Sequence, residues 1–321
     1  MKRHLRASSL LFNQPLLVTP DMLDLGVSWA NRAMHLNIIN IGAAAFGEPR
    51  MYADSEGAEL AYTARMEREE HNRRLAIGRT GVEVIPVSGI LVSRGAHLDA
   101  CEVMTSYEDL RRQLRTAVAD PMVERIVLDI DSPGGSAVGA FELASEIRAM
   151  TLQKPITGLV NFMAYSGGYL LASACSEVVM SQTSGVGSIG VIAKHLDRSK
   201  LEENAGVKVT TVFAGAHKND MSPHEPLTEQ SLQFLNDLVQ ESYQMFVGAV
   251  AEYRGLSVDQ VRATEAALYQ GQKGITAGLA DRLQSPQDAV DQLSLAVAQS
   301  RASRGGGLSV RARAAAIQSQ L

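Results

Sequence analysis

Residues 124–150 read ERIVLDIDSPGGSAVGAFELASEIRAM. ERIVLDI carries the apolar, β-branched-rich core Ile126, Val127, Leu128 and Ile130, which reads as a buried strand. DSPGGS, 131–136, gathers Pro and Gly and punctuates the run as a turn. AVGAFELASEIRAM then reads as a helix. Strand, glycine turn and helix in so short a span specify one βα unit of an α/β domain.

The same grammar repeats on both sides. Upstream, 82–87 is a β-rich run ending at a Ser-Gly turn, and 106–118 places Leu110, Leu114 and Val118 on one helical face. Downstream come the strand ITGLV, an apolar helix from Ser166 through Ala174, a strand in VVMSQ and a glycine-bounded strand in GSIGVIA. A helix in LDRSKLEENAG then leads into a strand in VKVTTVFA. A long amphipathic helix over 226–253, with Pro226 near its start, a second over 257–264 and the glycine-rich LYQGQKGITAGLADRL close the domain. The expected organisation is an N-terminal appendage over 1–80, a domain over 81–299 and a flexible linker or tail over 300–321. Within the appendage, Thr19-Pro20-Asp21 predicts the start of a helix over 19–35, and 55–75 reads as a polar, charge-laced helix.

The chain has 321 residues and a formal net charge of −5. That balance argues against an electrostatic grip on nucleic acid as the main task. Basic residues do gather in SRASRGGGLSVRARAAA, which reads as a solvated linker, with contact to a scaffold, a shell or nucleic acid as the sharper alternative. Cys101 and Cys175 are far apart and show neither metal-ligand spacing nor a disulfide framework, so Cys175 is expected in the core. The basic start is followed by too short an apolar run for a signal peptide, and no stretch is long enough to predict a spanning helix.

Three glycine-containing turns lie at the ends of candidate strands: Asp131-Ser132-Pro133-Gly134-Gly135, Ser166-Gly167-Gly168 and Gly187-Ser188-Ile189-Gly190. Strand ends of α/β sheets leave backbone N–H groups free to receive an oxyanion. Each turn alone is an ordinary structural turn. Ser-Gly-Gly is not the G-x-S-x-G elbow, and no G-x-x-x-x-G-K-[ST] occurs. Gly185, Gly187 and Gly190 match the spacing of a dinucleotide fingerprint but lack its ribose-binding acid.

Five blocks together resemble the signal peptide peptidase A family of serine peptidases, and above all its phage branch, the capsid-assembly or prohead proteases. They are VIPVSGILVSRG (84–95), ADPMVERIVLDIDSPGGSAVGAFELASEI (119–147), AYSGGYLLASACSEVVMSQTSGVGSIGVIAKH (164–195), VFAGAHKNDMSP (212–223) and TEAALYQGQKGITAGLADRL (264–283). The resemblance implies a crotonase/ClpP-like superhelix of ββα repeats with a C-terminal helical extension. It implies Ser166 as nucleophile, Lys218 as general base, Ser188 orienting the lysine, and an oxyanion hole from the N–H groups of Gly134 or Gly135 with Gly167. His217 is expected in a supporting or loop role.

A serine hydroxyl needs a base to become a nucleophile. A lysine, with an ordinary pKa of about 10.4, serves only after losing its proton, which an apolar pocket favours. Val207, Val209, Val212 and Phe213 are the expected wall of that pocket. The resemblance further implies protein substrates (capsid scaffold, portal or coat proteins), self-cleavage, a homo-oligomer and no stable membrane anchor. It places the protein in the bacterial host cytoplasm within assembling proheads. No cofactor and no metal is implied. A bacterial signal-peptide or membrane-protein peptidase and a non-enzymatic capsid scaffold module are the alternative functions.

Overall fold

The structure, a computed structural model, describes residues 14–20, 55–94 and 104–318. In chain order its elements are β1 (Leu16–Val18), α1 (Ser55–Thr80), β2 (Val82–Val92), β3 (Met104–Ser106), α2 (Tyr107–Ala119), β4 (Arg125–Ser136), α3 (Ala140–Met150), β5 (Ile156–Tyr165) and α4 (Gly167–Ser173). They continue with β6 (Glu177–Met180), β7 (Gly185–Gly187), α5 (Ser199–Asn204), α6 (Glu229–Arg254), α7 (Val258–Arg262), β8 (Leu268–Gln270), α8 (Gln272–Thr276), β9 (Arg282–Leu283) and α9 (Pro286–Gln318). Cys101, and beyond Pro20 the helix expected over 19–35, lie outside the described residues.

The central sheet runs β3-β2-β4-β5-β6-β9 with every neighbouring pair parallel. This is a mixed α/β fold with a largely parallel sheet. Alternation along β4 explains its continuous apolar run. Ile126, Leu128 and Ile130 enter the main core with residues of α2, α3, α4 and α6, whereas Val127 enters a smaller cluster with Ala289, Leu293 and Val297 of α9. Both faces of the strand are therefore covered. Cys175 is a free, buried thiol of the main core, and burial pushes its pKa up to about 12.

Two expectations need correction in ways that bear on the site. DSPGGS does not end β4; it stays extended to Ser136, pairing with β2 on one side and antiparallel to β1 on the other. Register shifts between Ser88 and Ile90, and between Ile130 and Ser132, let the strand continue. Second, VKVTTVFA forms no strand: residues 207–213 have no ladder partner and are all exposed, Val212 at 92%. Alternating β-branched residues favour a strand only where an edge and a face exist to receive them.

Residues 300–318, read from sequence as a tail, carry helical backbone as the end of α9. Two buried tyrosines spend their hydroxyls on backbone carbonyls. Tyr107 Oη donates to Ser136 O at 2.7 Å, and Tyr169 Oη to Leu279 O at 2.8 Å.

The end of α6 is locked to the segment before β9. Arg254 reaches both Asp281 oxygens at 2.7 and 2.9 Å, and Asp281 Oδ2 also accepts from Val178 N at 2.7 Å. Burial pushes the Asp281 carboxyl up, but the Arg254 and Val178 donors outweigh it and hold it below the usual range. Its contribution is therefore present above the unfolded carboxylate value of about 3.9 and is lost as pH falls through the lower folded value. Arg254→Ala should destabilise by about 2–3 kcal/mol at neutral pH, trimmed below the buried-pair range because Asp281 is 40% exposed. Urea unfolding at pH 7 and pH 3 checks this, since the difference from wild type should shrink in acid.

Candidate active site

Ser166 joins β5 to α4 and is fully buried. Its φ of 51° and ψ of −117° lie where a residue with a Cβ is strained, so the surroundings must hold it there. They do so through the backbone: Ser166 N donates to Gly187 O at 2.8 Å, and Leu170 N to Ser166 O at 3.0 Å. The hydroxyl is not spent on capping α4. It makes one long hydrogen bond, to Gly190 O at 3.4 Å.

The backbone facing this serine is crowded in a way that only glycine allows. Gly134 has φ of 101°, and a Cβ there would lie 2.8 Å from Gly167 N. A Cβ on Gly168 would lie 2.9 Å from Ser132 O. Gly167 in turn approaches Gly135, whose N would be 3.4 Å from a Cβ at 167. Ser132 braces this end of β4 by donating from Oγ to Gly89 O at 2.7 Å while accepting from Gly134 N at 3.1 Å. The structure thus brings Gly134, Gly135 and Gly167 together beside Ser166. Burial pushes the neighbouring Asp131 carboxyl above its usual range.

Ser188 is buried, with φ of 54°, immediately after the Gly187 carbonyl that holds Ser166. Its N donates to Ala267 O at 3.0 Å, and its hydroxyl has no partner among the described residues.

Lys218 is not assembled with these groups. It is exposed in the turns after the 207–213 segment, its N donates to Gly215 O at 3.0 Å, and no hydrogen bond joins it to Ser166 or Ser188. The apolar wall expected from Val207, Val209, Val212 and Phe213 is itself open to solvent. The loop is nevertheless anchored. Asp220 accepts from Gln230 Nε2 at 2.7 Å and from Ser231 Oγ at 3.3 Å, tying it to the start of α6. His217 Nδ1 lies 2.7 Å from Asp220 Oδ2, and this bond holds the Asp220 carboxyl below the usual range. His217 is thereby engaged in the loop's own structure.

The sequence reading missed β1. Leu16, Leu17 and Val18 lie against the glycine cluster, Leu17 O coming within 3.2 Å of a Cβ placed at Gly167. The only signal was an apolar tripeptide bracketed by Pro15 and Pro20. Among the described residues no three His, Cys, Asp or Glu side chains gather as a metal site, and no helix is long and apolar enough to cross a membrane.

Comparison with known proteins places this geometry in context. Residues 148–300 match the profile of peptidase family S49. The chain is 38% identical over 288 residues to head-tail preconnector protein GP5 of Enterobacteria phage P21, covering 89% of this chain and 56% of that protein. It is 37% identical over 300 residues to capsid assembly protease C of Escherichia phage lambda, covering 94% of this chain and 67% of that one. A putative signal peptide peptidase SppA of Enterococcus faecium is 28% identical over 211 residues, 65% of this chain and 61% of its own length.

Proposed function

Since the chain belongs to peptidase family S49, we propose that it is a serine endopeptidase with Ser166 as nucleophile and Lys218 as general base. The observation that carries this reading is the strained, buried Ser166, its hydroxyl free of capping and the residue after it, Gly167, packed against Gly134 and Gly135. Ser166 Oγ attacks the substrate carbonyl, and the lysine takes its proton and returns it to the leaving amine. The N–H groups of Gly135 and Gly167 receive the negative charge on the carbonyl oxygen. Ser188, with its hydroxyl uncommitted, orients the amine.

Lys218 has to close on Ser166 for this chemistry, and assembly with further copies of the chain is the event that closes it. In support, the segment preceding Lys218 exposes Val212 and Phe213, and α6 exposes Leu232, Phe234 and Met245. A second copy covering these surfaces dries the lysine's surroundings. The peptidase unit spans 81–299, and its sheet turns as a ClpP-like superhelix does. In favour of that turn, β5 pairs with β6 along its first half and with β7 along its second. The peptidase's substrates are scaffold, portal or coat proteins in assembling proheads of a bacterial host; in support, one phage relative is a capsid assembly protease and the other a head-tail preconnector protein.

Purified protein should hydrolyse an unfolded protein such as casein, with specific activity rising with concentration as sedimentation reports assembly. A monomer with full activity would refute the closure step. An assembled protein that cleaves neither casein nor candidate capsid proteins would refute the peptidase.

A further inference from the structure

We propose that residues 16–18 occupy the substrate groove of their own site and that the Leu17–Val18 peptide bond is a self-processing site. The inference rests on the assignment of Ser166 as nucleophile and adds the bond presented to it.

β1 runs between two walls of the site. On one side it is antiparallel to the DSPGGS end of β4, with Leu16 opposite Ser136, Leu17 opposite Gly135 and Val18 opposite Gly134. On the other, Leu16 N donates to Ile192 O at 2.9 Å and Ile192 N to Leu16 O at 3.0 Å. A short extended segment hydrogen-bonded across both walls is how a peptidase of extended substrates holds a chain.

The register fixes which bond is presented. Hydrogen-bonded and non-bonded pairs alternate along an antiparallel ladder. Thr19 N donates to Pro133 O at 3.2 Å, which makes Leu17 and Gly135 the next bonded pair and turns the Leu17 carbonyl toward the Gly135 N–H. The glycines agree: Leu17 O would be 1.9 Å from a Cβ at Gly134 and 3.2 Å from one at Gly167. The Leu17 carbonyl thus lies where the oxyanion is to be held. Two residues before Ile192 in that second wall, the Gly190 carbonyl accepts the Ser166 hydroxyl at 3.4 Å, while Gly190 N is taken by Ser188 O at 2.8 Å. The Ser166 hydroxyl is thus bonded two residues along from the Ile192 wall that holds Leu16, and the residue after Ser166, Gly167, lies beside the Leu17 carbonyl. Leu17 is fully buried, so the groove takes an apolar side chain before the cut. Pro15 and Pro20 favour an extended chain on either side of the bond.

The reaction balances with water as the only co-reactant. Ser166 Oγ adds to the Leu17 carbonyl carbon, and its proton passes through the base to the Val18 nitrogen as the C–N bond breaks. Water then hydrolyses the Leu17 ester and restores the serine. The products are a Leu17 carboxylate and a Val18 amine.

The test follows the full-length chain by intact mass and N-terminal sequencing, beside casein hydrolysis. Wild type should develop a Val18 N-terminus that Ser166→Ala never shows. Leu17→Asp should slow its appearance by about tenfold or more, because the apolar groove rejects a charge. A synthetic peptide of residues 12–22, added to the wild-type protein, should be cut between the same two residues, an arm that does not depend on the folding of any variant. Ser166-dependent casein hydrolysis by a chain that keeps residues 1–18 joined, or is cut elsewhere in that segment, overturns this inference and leaves the nucleophile standing. No cleavage of casein, peptide or chain overturns the nucleophile and the inference with it.

Discussion

Ser166→Ala should abolish peptide hydrolysis, a loss of about a thousandfold or more, with the fold unchanged. The fold survives because the hydroxyl contributes one long hydrogen bond and no cap, while the strained turn is held by backbone partners at Gly187 and Leu170. Alanine keeps the Cβ, so the turn's packing is kept as well. Lys218→Met should be as inactive, and equally folded, because the lysine is exposed and its amine has no partner among the described residues. The two losses should not multiply in the double variant, since groups acting in one step fail together. Casein hydrolysis and circular dichroism of the three purified proteins check this. Near-wild-type cleavage by either single variant would dissolve the pair.

The largest effect on folding is expected at Gly135. A Cβ there would lie 1.9 Å from Leu91 O and 2.6 Å from Leu91 C and N. These are backbone atoms of the last pair in the β2–β4 ladder and cannot swing aside like the end of a side chain. Gly135→Ala should therefore cost about 4 kcal/mol or more, a large part of the roughly 5–15 kcal/mol that stabilises a domain. Gly248→Ala is the contrasting control: it lies inside α6 with nothing within 4 Å of the added Cβ, and should gain up to about 1 kcal/mol. Urea midpoints of the two variants should move in opposite directions. Equal midpoints for wild type and Gly135→Ala would mean that β2 and β4 do not meet at this distance.

Much of the sheet was legible because its strands carry their own signal. ERIVLDI, ITGLV and VVMSQ are apolar on both faces, and β4, β5 and β6 do lie in the buried parallel sheet. The helix from Ser106 was legible from the spacing of Leu110, Leu114 and Val118, and the structure adds a cap at its start, Asp109 N donating to the Ser106 hydroxyl. DSPGGS misled because Pro and Gly usually close a strand, whereas here glycine permits two backbones to press against an extended one. VKVTTVFA misled for the opposite reason. Its alternation is a genuine strand pattern, but the chain offers it no edge. β1 was illegible because three residues between prolines carry no period, and only the ladder to Gly135 gives them meaning. Lys218 was named from resemblance alone, and the structure leaves it exposed in the turns after the 207–213 segment, bonded to neither Ser166 nor Ser188.

The central claim is that Ser166 is the atom donor of an acyl-enzyme, and covalent trapping addresses it most directly. The assembled protein is incubated with a fluorophosphonate, digested, and the adduct located by mass spectrometry while residual casein hydrolysis is measured. One phosphonyl group on Ser166, accumulating in step with the loss of activity and absent from Ser166→Ala, is the predicted result. Inactivation with the adduct on another side chain, or full hydrolysis by protein quantitatively modified at Ser166, would contradict the account.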